Sequence, residues 1–430
     1  MLTRKMKDSG VEWIGEIPES WEMKKVKSFL KERSEKNHPN EEVLSLYREY
    51  GVIPKNSRND NHNVTSLDTS TYKFVEENNV VINKMKAWQG SLAVSKYRGI
   101  VSPAYYIYEI KKATEIVPEF LHYALRNPLY TQEYKRLSAG LRVGQWDLNK
   151  SEFNSLLYPI PPVDEQLKIV EFINNKNQSV AQIIQDTQQS IEELKKYKQS
   201  LITEVVTKGL DKNVEMKDSG VEWIGEVPRH WRVSRPNRVS SIIRGNTSFQ
   251  KIDMKNNGDF VAVQYGQIYK FNELDDKYQF YIDKSFYKKD QVVQKEDTIF
   301  VSTSETMEDL GHSCFYKRED LGLLGGEQLC LRPNNENIFG KFFYYATTYF
   351  KYELNQYATG LKVYRFKLDD LKKINIVVPP IKEQYKIVSF LDEQTSRIDK
   401  LIADKIKVIK ELEGYKKSLI YEYVTGKKQV

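Results

Sequence analysis

Cysteine is almost missing from these 430 residues: only Cys314 and Cys330 occur, both in the second half. That excludes a disulfide framework and a cysteine-rich zinc module, and a reducing cytoplasm is the expected setting. No apolar run approaches the ~20 residues of a membrane-spanning helix, and the opening MLTRKMKDSG lacks the apolar stretch of a secretory signal. Five histidines (His38, His62, His122, His230 and His312) are scattered without metal-ligand spacing. Also missing are the glycine-rich phosphate cradles of nucleotide enzymes and the Gly-x-Ser-x-Gly elbow of hydrolases. There is no Asn/Asp-Pro-Pro-aromatic tetrapeptide of the kind that surrounds a flipped adenine. Asp275-Asp276-Lys277 has the residue types of a metal-dependent nuclease, but such runs are usually solvated loops. Catalysis by this chain alone is therefore not expected, nor is a metal or cofactor of its own.

What is present is an ordinary globular composition, 40% hydrophobic and 29% charged, which argues against disorder. The length allows two to four domains, each with a real core. A net charge of +7 permits a polyanionic partner without requiring one.

The strongest signal is internal repetition. MKDSGVEWIGEIP at 6–18 returns as MKDSGVEWIGEVP at 216–228, and a tryptophan follows each copy, Trp21 and Trp231. PPVDEQLKIVEF (161–172) recurs as PPIKEQYKIVSF (379–390), and YKQSLITEVV (197–206) as YKKSLIYEYV (415–424). Between these anchors the halves diverge, so the chain is duplicated in framework and different in payload.

The second pair of blocks opens two helical arms. In the first, Ile173, Val180, Thr187, Leu194 and Leu201 recur every seven residues, interleaved with Asn177, Ile184, Ile191, Lys198 and Val205. The second repeats this in register, with Leu391, Ile398, Lys405, Leu412 and Leu419 against Thr395, Ile402, Ile409, Lys416 and Tyr423. An a/d seam of this length predicts helices that pair on each other, most economically as an antiparallel coiled coil. Paired prolines at 161–162 and 379–380 end the preceding extended segments, and Gly209 and Gly426 lie where a helix should stop. Lys198 and Lys416 share one a position; they either snorkel past the seam or mark its register.

The globules between the arms read as mixed α/β with a strong β component. VVINKMKA (80–87), SLAVSKY (91–97) and AYYIYEI (104–110) are β-branched and aromatic runs. DTIFVSTS (297–304), HSCFYK (312–317) and EQLCLRP (327–333) follow the same order in the second half. A helix-like stretch comes next in each (118–137 and 341–357), then a short basic glycine turn, AGLRVGQW (139–146) and TGLKVYRF (359–366). The expected class is α+β, two such globules separated by two long helices in a pseudo-two-fold repeat.

A KDSGVEWIGEIPxxW opening, a variable globule and a PPxxEQxxIVxF helix, all occurring twice, resemble the DNA-specificity subunit of type I restriction-modification systems across essentially the whole chain. The resemblance implies two target-recognition domains, 1–160 and 211–378, each reading half of a split double-stranded DNA sequence. It implies conserved helical arms at 161–210 and 379–430 that act as a spacer and dock two methyltransferase (modification) subunits. Restriction (translocase and nuclease) subunits would complete the complex, with S-adenosylmethionine, ATP and magnesium bound by partners and the whole serving host defence. Physical reasoning agrees, because two globules on a stiff rod multiply their separate discrimination. Each arm would span on the order of 65 Å at ~1.5 Å per residue, enough to serve half-sites about one duplex turn, ~34–36 Å, apart.

The expected DNA contacts lie where Lys or Arg accompanies amide, hydroxyl or aromatic groups. In the first globule these are Lys84, Lys86, Trp88 and Gln89, with Arg142, Gln145 and Trp146 in the glycine turn. In the second they are Arg244, Asn246 and Thr247, then Ser302, Thr303, Ser304 and Glu305, then Lys362, Tyr364 and Arg365. Arg pairs guanine and Asn or Gln pairs adenine, whereas Lys mostly neutralises phosphate. The repeated Trp13 and Trp223 segments are expected to pack globule against arm rather than read bases. Rival readings are a freestanding DNA-binding protein and a coiled-coil scaffold.

Overall fold

The computed structural model describes residues 4–58, 65–66, 68–112, 115–142, 145–334 and 336–430. His62 lies outside the described residues. The chain divides into two compact units, Met1–Gln188 with Ile406–Val430, and Gln189–Lys405. Each unit therefore holds one globule, part of the first arm and part of the second.

The first unit has a four-stranded antiparallel sheet in the order Leu30–Arg33, Tyr105–Ile110, Val80–Asn83, Leu92–Val94. In the second unit Ser240–Arg244, Gln328–Pro333, Thr298–Val301 and Ser313–Tyr316 pair antiparallel in the corresponding order. Glu273–Leu274 adds a parallel edge strand to that sheet, and a further four-stranded sheet lies in the same unit. The predicted apolar runs thus become strands of these sheets, and residues 80–82, Leu92–Val94, Thr298–Val301 and Ser313–Tyr316 are buried without a break, as strands covered on both faces are. The 80–87 run ends early, because the Asn83 side chain accepts the Met85 N–H at 3.1 Å and turns the chain out of the sheet. The helix-like stretch at 118–137 splits into Pro118–Leu125 and Pro128–Arg136. Pro128 cannot donate to a continuing helix, and Asn127 caps the new one by accepting from Leu129 N at 3.0 Å. Its counterpart breaks into Gly340–Thr347 and Phe350–Leu354.

Both arms are single unbroken helices, Val163–Lys208 and Ile381–Val424. Their duplicated Glu-Gln pairs fasten them to the globules. Buried Gln166 donates to the carbonyls of Pro161 and Glu115 and accepts from Val117 N; buried Gln384 does the same with Pro379, Asn337 and Phe339 N. Of the seam residues, Ile173, Val180, Ile191, Leu391, Ile398 and Leu419 are buried. Ile184, Leu194, Leu201, Ile402, Ile409 and Leu412 are half-buried. Within the first unit, Phe172 near the start of one arm lies 4.6 Å from Tyr423 at the end of the other. Within the second, the Lys198 ammonium meets the Asp399 carboxylate at 2.6 and 2.7 Å.

The repeated tryptophans sit where globule and arms converge. Trp21 is fully buried, donates to Glu165 at 3.0 Å, and touches the site of Gly426. Trp231 is likewise buried, donates to Glu383 at 2.8 Å, and lies against Gly209. Gly209 and Gly426 both have positive φ, and at Gly426 an added Cβ would fall 2.3 Å from Pro18. Trp13 and Trp223 pack on Tyr130 and Tyr349, which belong to the globules and not to the arms. Among the described residues no helix is long and apolar enough to cross a membrane.

Candidate nucleic-acid interface

Three stretches of the second globule, far apart in sequence, meet at one end of its five-stranded sheet. Arg244 closes its strand opposite Leu329, and Gly245 N donates to the Gln328 carbonyl at 2.9 Å. Thr303 and Ser304 pair antiparallel with Arg365 and Tyr364, and Phe366 N donates to the Ser302 carbonyl at 3.2 Å. The residue that joins them is Glu327. Its carboxylate accepts from Thr303 Oγ1 at 2.6 Å and stands 3.9 Å from the Arg365 guanidinium, while its carbonyl accepts from Ser302 Oγ at 3.1 Å. Sequence reasoning missed Glu327; the Gly325-Gly326-Glu327 turn, in which Glu327 takes φ +62°, was the available signal.

Arg244, Asn246, Glu305, Lys362 and Arg365 are exposed, and Ser302 and Tyr364 are half-buried. The other three expected contacts are turned into the fold. Thr247 is buried and donates to the Leu324 carbonyl, Thr303 is bound to Glu327, and the Ser304 hydroxyl accepts from Thr306 N at 3.1 Å. These hydroxyls shape the surface from behind. Asn246 is held by Lys288, whose ammonium donates to its carbonyl and side-chain oxygens at 2.9 and 3.1 Å.

The first globule builds the matching arrangement from different residues. The loop after Val80–Asn83 meets the hairpin of Ser138–Arg142 and Gln145–Leu148, in which Arg142 pairs with Gln145 along the backbone. Leu148 N donates to the Lys84 carbonyl at 2.9 Å, and the Lys84 ammonium meets Asp147 at 3.0 Å. Hydrogen bonding to Asp147 raises the Lys84 pKa above its ordinary value. Trp88 and Trp146 pack together at 5.0 Å, with the Trp88 N–H on the Met85 carbonyl, while Lys86 and Gln89 are exposed. An open hollow of about 520 Å³ adjoins the hairpin, lined by Lys135, Arg136, Gly140 and Trp146 among others.

Cys314 and Cys330 are buried, and burial pushes both thiols far up. Among the described residues no group of three or more His, Cys, Asp or Glu could hold a metal ion.

A family model described as the type I restriction modification DNA specificity domain matches residues 18–193 and again residues 228–411. The chain belongs to that family. The two matches coincide with the duplicated framework, so each half carries a specificity domain. Similar proteins include the type I restriction enzyme MjaVIII specificity subunit of Methanocaldococcus jannaschii, 24% identical over 96% of this chain and 94% of its own length. A second protein of that organism, provisionally named the MjaX specificity subunit, is 24% identical over 97% of this chain and 96% of its own. Among solved structures, a chain from work on complex assembly and conformational transition of the type I R-M system superposes with TM-score 0.69 at 15% identity, covering 95% of this chain and 98% of that one. The HsdS subunit of Thermoanaerobacter tengcongensis gives 0.53 at 16% identity, covering 96% and 98%. At these identities the structural likeness speaks for the specificity-subunit fold alone.

Proposed function

We propose that this chain is the DNA-specificity subunit of a type I restriction-modification complex, reading a split double-stranded sequence with one half-site per globule and performing no catalytic step. The observation that carries the reading is the doubled constellation of a basic glycine hairpin beside the loop of a central strand. Its scaffold is shared by both globules, and the side chains on it differ. Membership of the specificity family supports the same role.

In this reading residues 1–160 and 211–378 are target-recognition domains, and 161–210 and 379–430 are the arms, pairing as an antiparallel coiled coil. The Phe172–Tyr423 and Lys198–Asp399 contacts, one within each unit, support that pairing. Lys198 then acts as a polar register marker. The arms also offer docking surface for two modification subunits. In the first unit Leu167, Ile183, Val408 and Tyr415 are exposed on them, and in the second Tyr197, Tyr385 and Leu401. S-adenosylmethionine would belong to those subunits, and ATP with magnesium to restriction subunits, in a cytoplasmic complex.

Methylome sequencing of cells with and without this gene tests the proposal. Loss of N6-methyladenine from one split motif is expected; unchanged methylation of every split motif would overturn it.

A further inference from the structure

Leu361 is 98% exposed, the barest large hydrophobic side chain among the described residues. A lone exposed leucine is by itself ordinary. Three observations set this one apart. First, the hairpin that carries it is firmly anchored: Thr359 and Arg365 exchange both backbone hydrogen bonds at 2.9 Å, and buried Phe366 packs 5.5 Å from Phe300 of the central strand. Gly360 takes φ +124° there, and any Cβ would lie 2.0 Å from the Val363 carbonyl, so the tip is held in a shape only glycine permits. Second, residues 359–367 contain Lys362, Arg365 and Lys367 and no acidic residue, so cations flank the apolar tip. Third, the same Gly-Leu-basic-Val sequence recurs at 140–143 in the first half, although the sequences between the repeated blocks otherwise diverge.

We infer that Leu361 is a wedge that enters between two stacked base pairs of the half-site read by the second globule. A protein partner would favour a broad apolar patch, whereas a small apolar tip, Leu361 with the less exposed Val363, on a hairpin segment whose charged residues are all cations suits a duplex, with phosphates on the cations and the leucine at an opened step. The wedge positions the DNA by holding one step unstacked, and the cost of opening that step depends on its sequence. It contributes selectivity without a hydrogen bond to any base. This rests on the DNA-reading role proposed above.

The full-length chain is tested with duplexes carrying the methylated motif and 2-aminopurine placed in turn at each step of the second half-site. Wild type is expected to raise fluorescence at one step. Leu361→Ala should lose that rise and bind about tenfold more weakly, Leu361→Met should keep it, and a mismatch at that step should restore Leu361→Ala to near wild-type affinity. An undiminished rise with Leu361→Ala, or an affinity loss that the mismatch leaves unchanged, overturns the inference. Retained DNA binding with loss of co-purifying modification subunit would also overturn it, assigning Leu361 to a protein contact. Failure of wild type to bind the motif would instead refute the DNA-reading role itself.

Discussion

The indole N–H of Trp231 donates to Glu383 Oε2 at 2.8 Å, tying the opening of the second globule to the first turn of the second arm. Trp21 and Glu165 form the same bond in the first unit. A carboxylate acceptor makes each a charge-assisted bond, and each indole is fully buried. Trp231→Phe keeps most of the apolar volume and removes the donor, while Glu383 keeps His230 at 2.7 Å on its other oxygen and is partly open to water, so a loss of only about 0.5–1.5 kcal/mol is expected. Trp231→Ala adds a cavity and should cost about 3–5 kcal/mol. Urea denaturation followed by circular dichroism distinguishes them; equal midpoints for wild type and Trp231→Phe would show the bond to be idle.

Inserting one heptad at matching points of both arms should lengthen each helix by about 10 Å while keeping the seam in phase. Methylated-site mapping should then show a spacer longer by about three base pairs with both half-sites unchanged. Altered half-site bases with an unchanged spacer would contradict the rod reading.

Arg365 stands on a pinned hairpin, exposed, with the Glu327 carboxylate 3.9 Å away. Replacing it with alanine should weaken binding through the second half-site alone. If Arg365 reads a base, specificity relaxes at one position with a cost of about 1–3 kcal/mol; if it meets phosphate, the salt slope falls by about one. Fluorescence anisotropy across a salt series separates the two, and an unchanged affinity would remove Arg365 from the interface.

Burial, with Arg126 adding to it, pushes His122 down to about 4. In the unfolded chain it titrates near its ordinary value of about 6.5. Between these values the unfolded state binds more protons, so this contribution is complete above the unfolded value and is lost as pH falls toward 4. Wild type should therefore lose on the order of 2 kcal/mol relative to His122→Gln across that window. Urea midpoints at pH 7 and pH 4.5 check this, and parallel pH profiles would refute it.

The arms were legible because a seven-residue apolar period survives any change of side chain that keeps its phase. Both runs are continuous helices, and Ile173 and Leu391 near their starts are buried in the hydrophobic clusters of the globules. Individual strands such as Val80–Asn83 and Thr298–Val301 were legible from β-branched runs, but not their order in the sheet. What could not be read was which loops meet. Arg244 comes beside Leu329, and Ser304 beside Tyr364, through strand pairing across long stretches of chain, which no local pattern reports. For the same reason Thr303 reads as a free hydroxyl in sequence and proves to be bound by Glu327. Lys84 likewise finds Asp147 only once its loop and the hairpin are folded together.

The paired sockets around Trp21 and Trp231 have a bearing on inheritance. Each receives one arm's beginning through a glutamate and the other arm's end through a glycine, using almost the same peptide. Genetic exchange at those repeats would deliver a new globule already fitted to the frame. A lineage could then trade one half of its recognition sequence in a single event, without having to refit the joints that hold the subunit together.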